Sequence, residues 1–382
     1  MKREVVALSV IALVVGACTV MNGLELQTSP TDPGETSGSS SGKTSGSTSG
    51  ATGTSGGSSG LDPDKCNHVR EPAKPAASDP GGTDTTLTFA MRQLVPNNEG
   101  EPFGLDLDNL CTCFTEKGQT TPGPDACKRT TSACDDPGFK GRDNAGAVLF
   151  KQIANAGGVN LIDIANGHVS GGKIGIVVHI EGYNGLANDD AVSVRFIRVA
   201  GIAGGPNPAK VDAWPDSDDS FSSTEAYVVN RTLVARFTEV EVPFLISTPT
   251  PAKMKGAIVM GTITDGVIPD LLVAGRTNTG ELINSVGELE VSFGTGSFRL
   301  CESMEFDDAQ RYRSFSAAAC KVSDMPTDTA KTGDLTTSCD AMSFGVKMLV
   351  IPATLSATKQ PVSTSSPGCN EVSGYPLPCP SP

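Results

Sequence analysis

Apolar and polar residues alternate in short runs over most of this chain, and the runs predict strands. Leu87, Phe89 and Met91 alternate first. In Lys173–Tyr183, Ile174, Ile176, Val178 and Ile180 fall on one face, and Gly175, Val177, His179 and Glu181 on the other. This is the period of two expected when successive side chains point to opposite sides of a strand. Asn184-Gly185 marks a turn, and Ala191–Ala200 follows with Val192, Val194 and Phe196 alternating. The two runs read as antiparallel neighbours with a connection longer than a two-residue hairpin. Ala226–Val229 and Thr232–Phe237 flank Asn230-Arg231, a tight-turn candidate. Glu239–Ile246, Lys255–Thr264 and the late run Met342, Phe344, Val346, Met348 and Val350 complete the set. Helical spacing appears in Ala145–Ala156, where Asp143 or Asn144 is placed to cap and Gly157 to terminate. Glu281–Leu289 and Asp307–Cys320 are two further helical stretches. No internal repeat of 20–50 residues is visible. The pattern predicts a mainly β domain over residues 83–357: an antiparallel β-sandwich, jelly-roll-like, with a few short helices and stapled loops.

The N-terminus has a different pattern. Lys2 and Arg3 precede an apolar run from Val5 to Val15, which fits a secretory signal over residues 1–17. The run is too short to span a bilayer, which takes about 20 apolar residues. It ends in Val15-Gly16-Ala17-Cys18, which resembles the lipobox of bacterial lipoproteins. The resemblance implies cleavage before Cys18 and lipid on its thiol. Val15 where Leu is commonest, and Glu4 in a basic region, depart from the pattern. Thr19 rather than Asp after the Cys implies, by the same resemblance, the outer membrane or cell surface. Residues 18–82 read as a tether. From Pro30 to Gly60 they are almost entirely Ser, Gly and Thr, too polar to offset chain entropy by burial. A flexible coil of about 40 residues reaches roughly 35 Å. Three G-x-S-x-G matches, centred on Ser40, Ser55 and Ser58, fall here without the strand-turn-helix setting that a nucleophile elbow requires. Residues 358–382 form a Pro/Ser-rich tail.

Charge and cysteine content narrow the classes. The formal charge is −14, with no basic stripe, which argues against nucleic acid as a partner. Of 11 cysteines, setting Cys18 aside leaves Cys66, Cys111, Cys113, Cys127, Cys134, Cys301, Cys320, Cys339, Cys369 and Cys379. An even set in an exported chain reads as disulfides. Cys111, Cys113, Cys127 and Cys134 lack the C-x₂-C spacing of zinc ribbons. Cys111 and Cys113 are too close to bond each other easily and are expected to reach Cys127 or Cys134.

Asp106 and Asp108 alternate in Gly104–Asn109, with Asp135, Asp136, Asp143 and Asn144 nearby in sequence. Hard oxygen ligands converging from two loops suit Ca²⁺, although nothing here requires a cofactor and no EF-hand spacing is present. The alternative is solvated turn carboxylates and a helix cap. Trp214, in Asp212–Asp219, is a candidate for stacking on a sugar or meeting a protein partner, or for packing on its own domain. His68, His168 and His179 show no metal spacing. His168 reads as a loop residue and His179 as a sheet residue. An acidic chain offers too many carboxylates to pick out a glycosidase pair.

Two segments, Cys134-Asp135-Asp136-Pro137-Gly138 through Asp143-Asn144-Ala145 and Cys339-Asp340-Ala341-Met342-Ser343-Phe344-Gly345, are similar to motifs of uncharacterised surface lipoproteins. That resemblance implies one continuous ectodomain and no activity. The expectation is a non-enzymatic binding or structural protein, anchored to a membrane through lipid, with envelope polysaccharide or a surface protein as partner. Its rivals are a secreted polysaccharide hydrolase and a calcium-stabilised adhesion module.

Overall fold

In the computed structural model the residues described are 69–95, 97–98, 101–110, 125–128, 142–147, 149–150, 161–171, 175–203, 211–243, 245, 251–288, 290–293, 296–299, 301 and 316–360. The signal, Cys18, the Ser/Gly stretch, Cys66, Cys111, Cys113, Cys134, Asp135, Asp136, Cys369 and Cys379 lie outside them.

One sheet dominates. Its strands are β1 (Thr85–Val95), β5 (Gly175–Tyr183), β6 (Ser193–Ala203), β7 (Val211–Ser222), β8 (Glu225–Val229), β9 (Thr232–Glu241), β10 (Lys253–Thr262), β11 (Asp270–Asn278) and β15 (Ala341–Leu355). Short pairs complete the set: β2 (Asn97–Asn98) with β3 (Glu101–Pro102), β4 (Cys127–Lys128) with β14 (Asp334–Ser338), and β12 (Glu290–Phe293) with β13 (Gly296–Arg299). The order β1-β5-β6-β7-β15-β11-β10-β9-β8 carries one further pairing, β1 with β15. That pairing closes β1, β5, β6, β7 and β15 into a five-strand barrel. The mainly β expectation is met, but the two stacked sheets of the sandwich are replaced by one sheet that closes on itself. The long β15 makes this possible. Its first part pairs with β11 through Leu349, and its last residues, Ala353 to Leu355, pair in parallel with Val211 to Ala213 of β7.

Both faces of the shared strands are buried. Phe89, Met91, Ile176, Val178, Ile180, Val194, Phe196 and the alternating Met342–Val350 set join residues of β8–β11 in the larger core. Ala90, Val177, Ile197, Val199, Val211, Ala213 and Ala353, of opposite parity, fill the five-strand barrel. β8 returns to the residues before β6 through a bridge between Asp189 and Val228 and a bond from Val192 N to Ala226 O, 3.1 Å. The sheet is thus drawn round the larger core as well.

Local chemistry explains several elements. Asn230 and Arg231 take φ of 49° and 64°, as a two-residue hairpin turn requires, and link β8 to β9. β9 runs unbroken through Glu241, so the two expected strands Thr232–Phe237 and Glu239–Ile246 are one strand ending earlier. β7 and β11 were hidden from the pattern by Pro215 and a run of Asp, and by Gly275-Arg276. The helix α1 (Leu161–Ser170) was also missed, and His168 belongs to its last turn rather than to a loop. Asn166 on α1 accepts from Leu94 N at 2.7 Å and donates to Leu94 O at 3.0 Å, filling the place of a strand partner at the end of β1. α2 (Thr279–Gly287) is capped by Asn278, whose side chain accepts from Glu281 N at 3.1 Å.

The ordered domain begins before Thr83. Tyr227 Oη donates to Pro72 O at 2.6 Å, Arg236 pairs with Glu71, and Asp79 accepts from Asn188 N at 2.8 Å. Residues 69–82, which the sequence assigns to the tether, therefore run along the domain.

Candidate functional site

The expected disulfides supply the frame. Cys127 on β4 is bonded to Cys339, 212 residues later, with Cα atoms 5.3 Å apart. Cys127 therefore does not take Cys111 or Cys113 as its partner. Local spacing favoured a bridge within the loop, but β4 is carried to β14, where Gly333 N donates to Ala126 O at 2.7 Å and Cys339 N to Lys128 O at 3.0 Å. Cys301 and Cys320 are also disulfide-bonded. Cys127 Sγ lies 3.3 Å from Asp324 O, which puts the bridge beside an acidic corner.

That corner is built on the edge of β15. β1 pairs only with residues 347–352 of that strand, so among the described residues no strand flanks 341–346 on that side. Loops take its place. Asp324 N and Met325 N donate to Ala341 O at 3.0 and 3.2 Å. The buried Asp324 carboxylate then accepts from Ser343 N at 2.8 Å and from Ser343 Oγ. Asn144 Nδ2 donates to Gly345 O at 2.9 Å and also to Phe103 O. Its Oδ1 accepts from Ala147 N at 3.0 Å, so Asn144, not Asp143, is the side chain that caps this helical turn. Gly345 has to be glycine, because a Cβ there would lie 2.1 Å from Phe103 O.

Three of the five carboxylates singled out in the sequence meet here. Asp106, Asp108 and Asp143 are buried, and each offers an oxygen within 4.8 Å of the others. The loop that carries them is fixed by its own backbone. Asp143 N donates to Leu105 O at 3.0 Å, and Leu107 N to Asp143 Oδ2 at 2.5 Å. Asn109 N donates to Asp106 Oδ1 and Leu110 N to Asp108 Oδ1, both at 2.7 Å. These are Asx-type contacts, which suit the left-handed φ of 62° at Asn109. Arg70, from the segment leading into the domain, reaches Asp106 Oδ2 at 3.5 Å.

The sequence reading missed Arg276. It is buried beneath the loop and donates to Leu107 O at 2.9 Å, Thr332 Oγ1 at 3.1 Å and Pro326 O at 3.3 Å. Burial pushes its guanidinium below the usual value, and the negative charges of Asp108, Asp324 and Asp143 push it back up. A charge directly after the apolar run Leu271–Gly275 was the available signal. A buried trio of hard oxygen donors could hold a metal ion. It could equally lock the 103–110 and 142–147 segments together through the N–H groups it accepts.

Trp214 is elsewhere. It is half-buried in β7, opposite Gly201 of β6. His179 lies on β5 between Thr88 Oγ1, 2.9 Å from Nδ1, and Glu181 Oε1, 3.2 Å from Nε2. The two segments that carried the surface-lipoprotein resemblance meet in space, since Ala145 N donates to Ser343 Oγ at 2.9 Å. No protein-family model, curated protein or solved structure matches the chain.

Proposed function

We propose that this chain is an exported protein, held by lipid on Cys18 at the outer membrane or cell surface, whose β domain has a binding or structural role there. The observation that carries the reading is how the buried carboxylates are used. Asp106, Asp108, Asp143 and Asp324 each accept a backbone N–H that orders a loop. The trio lies within 4.8 Å and is buried. Glycoside hydrolysis instead takes two carboxyls flanking a substrate at about 5–10 Å, so the geometry favours architecture over the hydrolase reading. The Cys127–Cys339 bond supports an oxidising compartment. Among the described residues no helix is long and apolar enough to cross a bilayer, and attachment in this reading rests on acyl chains.

The same trio favours calcium as a structural ion of the domain. Its donors are hard oxygens from two loops, and an ion there would join the 103–110 and 142–147 segments in one coordination shell. Two measurements on protein purified from its native membrane test the reading. Intact mass is expected to give a chain beginning at an acylated Cys18; a mass without lipid overturns the anchor. Melting with calcium and with chelator is expected to differ, by about 2.7 kcal/mol at a hundredfold excess over Kd. An unchanged Tm removes calcium and leaves the carboxylates as hydrogen-bond acceptors alone.

A further inference from the structure

The pairing of β1 with β15 stops at a definite place. The ladder runs from Val95–Lys347 to Phe89–Pro352 and no further. Val350 N donates to Pro269 O and Ser356 N to Ala213 O, so the even-numbered residues of this stretch turn their backbone groups towards β11 and β7, and Ala353 and Leu355 turn theirs towards the β1 side. Past Pro352 the two strands part. β1 continues beside β5, with Thr88 opposite His179, Leu87 opposite Ile180 and Thr85 opposite Tyr183. β15 swings to β7, with Ala353, Thr354 and Leu355 opposite Val211, Asp212 and Ala213. Each strand thus keeps a partner on its far side, and among the described residues neither pairs with a strand on the side facing the other. Between them lies a cleft of about 460 Å³, lined by residues 86–89 and 352–355 with His179 and Gly266.

We propose that this opened seam binds an extended polypeptide segment by strand addition, which gives the binding role above a site and a class of partner. The inference rests on that reading. Three observations select a peptide. Both walls are strand edges, whose unpaired N–H and C=O groups are templates for another strand. The length fits: three residues on each wall, at about 3.3 Å per residue, match a segment of three to five residues. The charge also fits. Only His179 among the lining residues is ionisable, in a chain of net charge −14, so the slot suits an uncharged backbone. β1 and β15 are antiparallel, so an inserted strand runs parallel to one wall and antiparallel to the other. A volume of this size lies within the usual range of about 300–1,000 Å³ for ligand sites.

The test uses the full chain in detergent and a fluorescent hexapeptide, Lys-Thr-Val-Thr-Val-Lys. A control peptide of the same charge carries N-methyl groups on alternate amides and cannot complete a ladder. The unmodified peptide is expected to bind at least about tenfold more tightly than the control. Leu355→Pro, which removes a backbone donor on the β1 side of β15, is expected to weaken binding by a similar factor. Amide exchange at residues 86–88 and 353–355 is expected to slow when peptide is added to the unaltered chain, a readout that does not depend on the variant folding. Equal binding of the two peptides, no binding, or unchanged exchange at those amides overturns the proposal. So does self-association that protects the same amides without peptide, which would make a second copy the occupant. Envelope polysaccharide bound while neither peptide binds would sink the seam and leave the anchored binding protein standing.

Discussion

Ser343 and Phe344 are neighbours in β15 and are buried on opposite faces. Phe344 enters the larger apolar core and meets the Phe150 ring at a centroid distance of 5.6 Å. Ser343 enters the acidic corner, where Asp324 accepts its N–H and Ala145 N donates to its hydroxyl. One side of the strand is held by shape, and the other by hydrogen bonds to particular partners. An apolar face tolerates any well-packed neighbour, whereas a polar face needs a particular partner at each position. The acidic corner therefore draws on several segments far apart in sequence, while the apolar core draws mainly on strands that alternate in sequence.

Phe344→Ala tests the apolar side and should have the largest effect. The side chain is 2% exposed, and the helical turn at Gly146 sits so close to its ring that a Cβ there would be 2.0 Å away. Packing this tight cannot collapse into the cavity, so a loss of about 3–5 kcal/mol is expected from denaturant unfolding. A loss under about 1 kcal/mol would show that the turn is not seated on the core.

Asp324→Ala tests the polar side. It leaves Ser343 N–H buried without its acceptor and takes one negative charge from the surroundings of Arg276. The expected cost is about 1–3 kcal/mol, less than for Phe344. Asp324→Asn keeps an acceptor for Ser343 N–H and should cost less than the alanine change. If the two variants unfold alike, the hydrogen bond to Ser343 carries no weight and the contrast between the two faces fails.

The same contrast explains what the sequence disclosed. Alternation in Met342–Val350 marked β15, and Asn230-Arg231 marked a hairpin, because each signal is local. No strand was read over β7, since Trp214-Pro215-Asp216 argues against one; its place is set by β6 on one side and the end of β15 on the other. Closure into a barrel depends on β1 meeting β15 across more than 250 residues of chain, which no periodicity encodes. Asp106, Asp108 and Asp143 were found because acidic residues near one another in sequence are visible. Arg276 and Asp324, with the Cys127–Cys339 pairing, were not, because each depends on which distant segment the fold brings to it.

The smallest effect is expected where neither side is buried. Asp190 is held below the ordinary carboxylate range chiefly by the Ser78 hydroxyl, and Asp334 by the Thr336 hydroxyl with help from Thr336 N–H and Thr337. Both carboxylates are exposed, so the contribution is slight, but its sign is fixed. A carboxylate whose pKa is lower in the folded chain stabilises the fold above the unfolded value of about 3.9 and loses that contribution as pH falls through the folded value. Lys253 works at the other end. Its hydrogen bond to Glu239 raises its pKa, so its contribution is full below about 10.4 and lost as pH rises through the folded value. Asp190→Asn, Asp334→Asn and the unaltered chain should therefore differ slightly at pH 7 and converge as pH falls through the folded values of these carboxylates, which lie below the ordinary range. Ser78 joins Asp190 to the segment entering the domain, so the Asp190 variant should also speed proteolysis within residues 69–82 at pH 7 and not at acid pH. A gap between variant and parent that stays constant as these carboxylates become neutral would mean that the hydroxyl contacts, not the charge, hold that segment to the sheet.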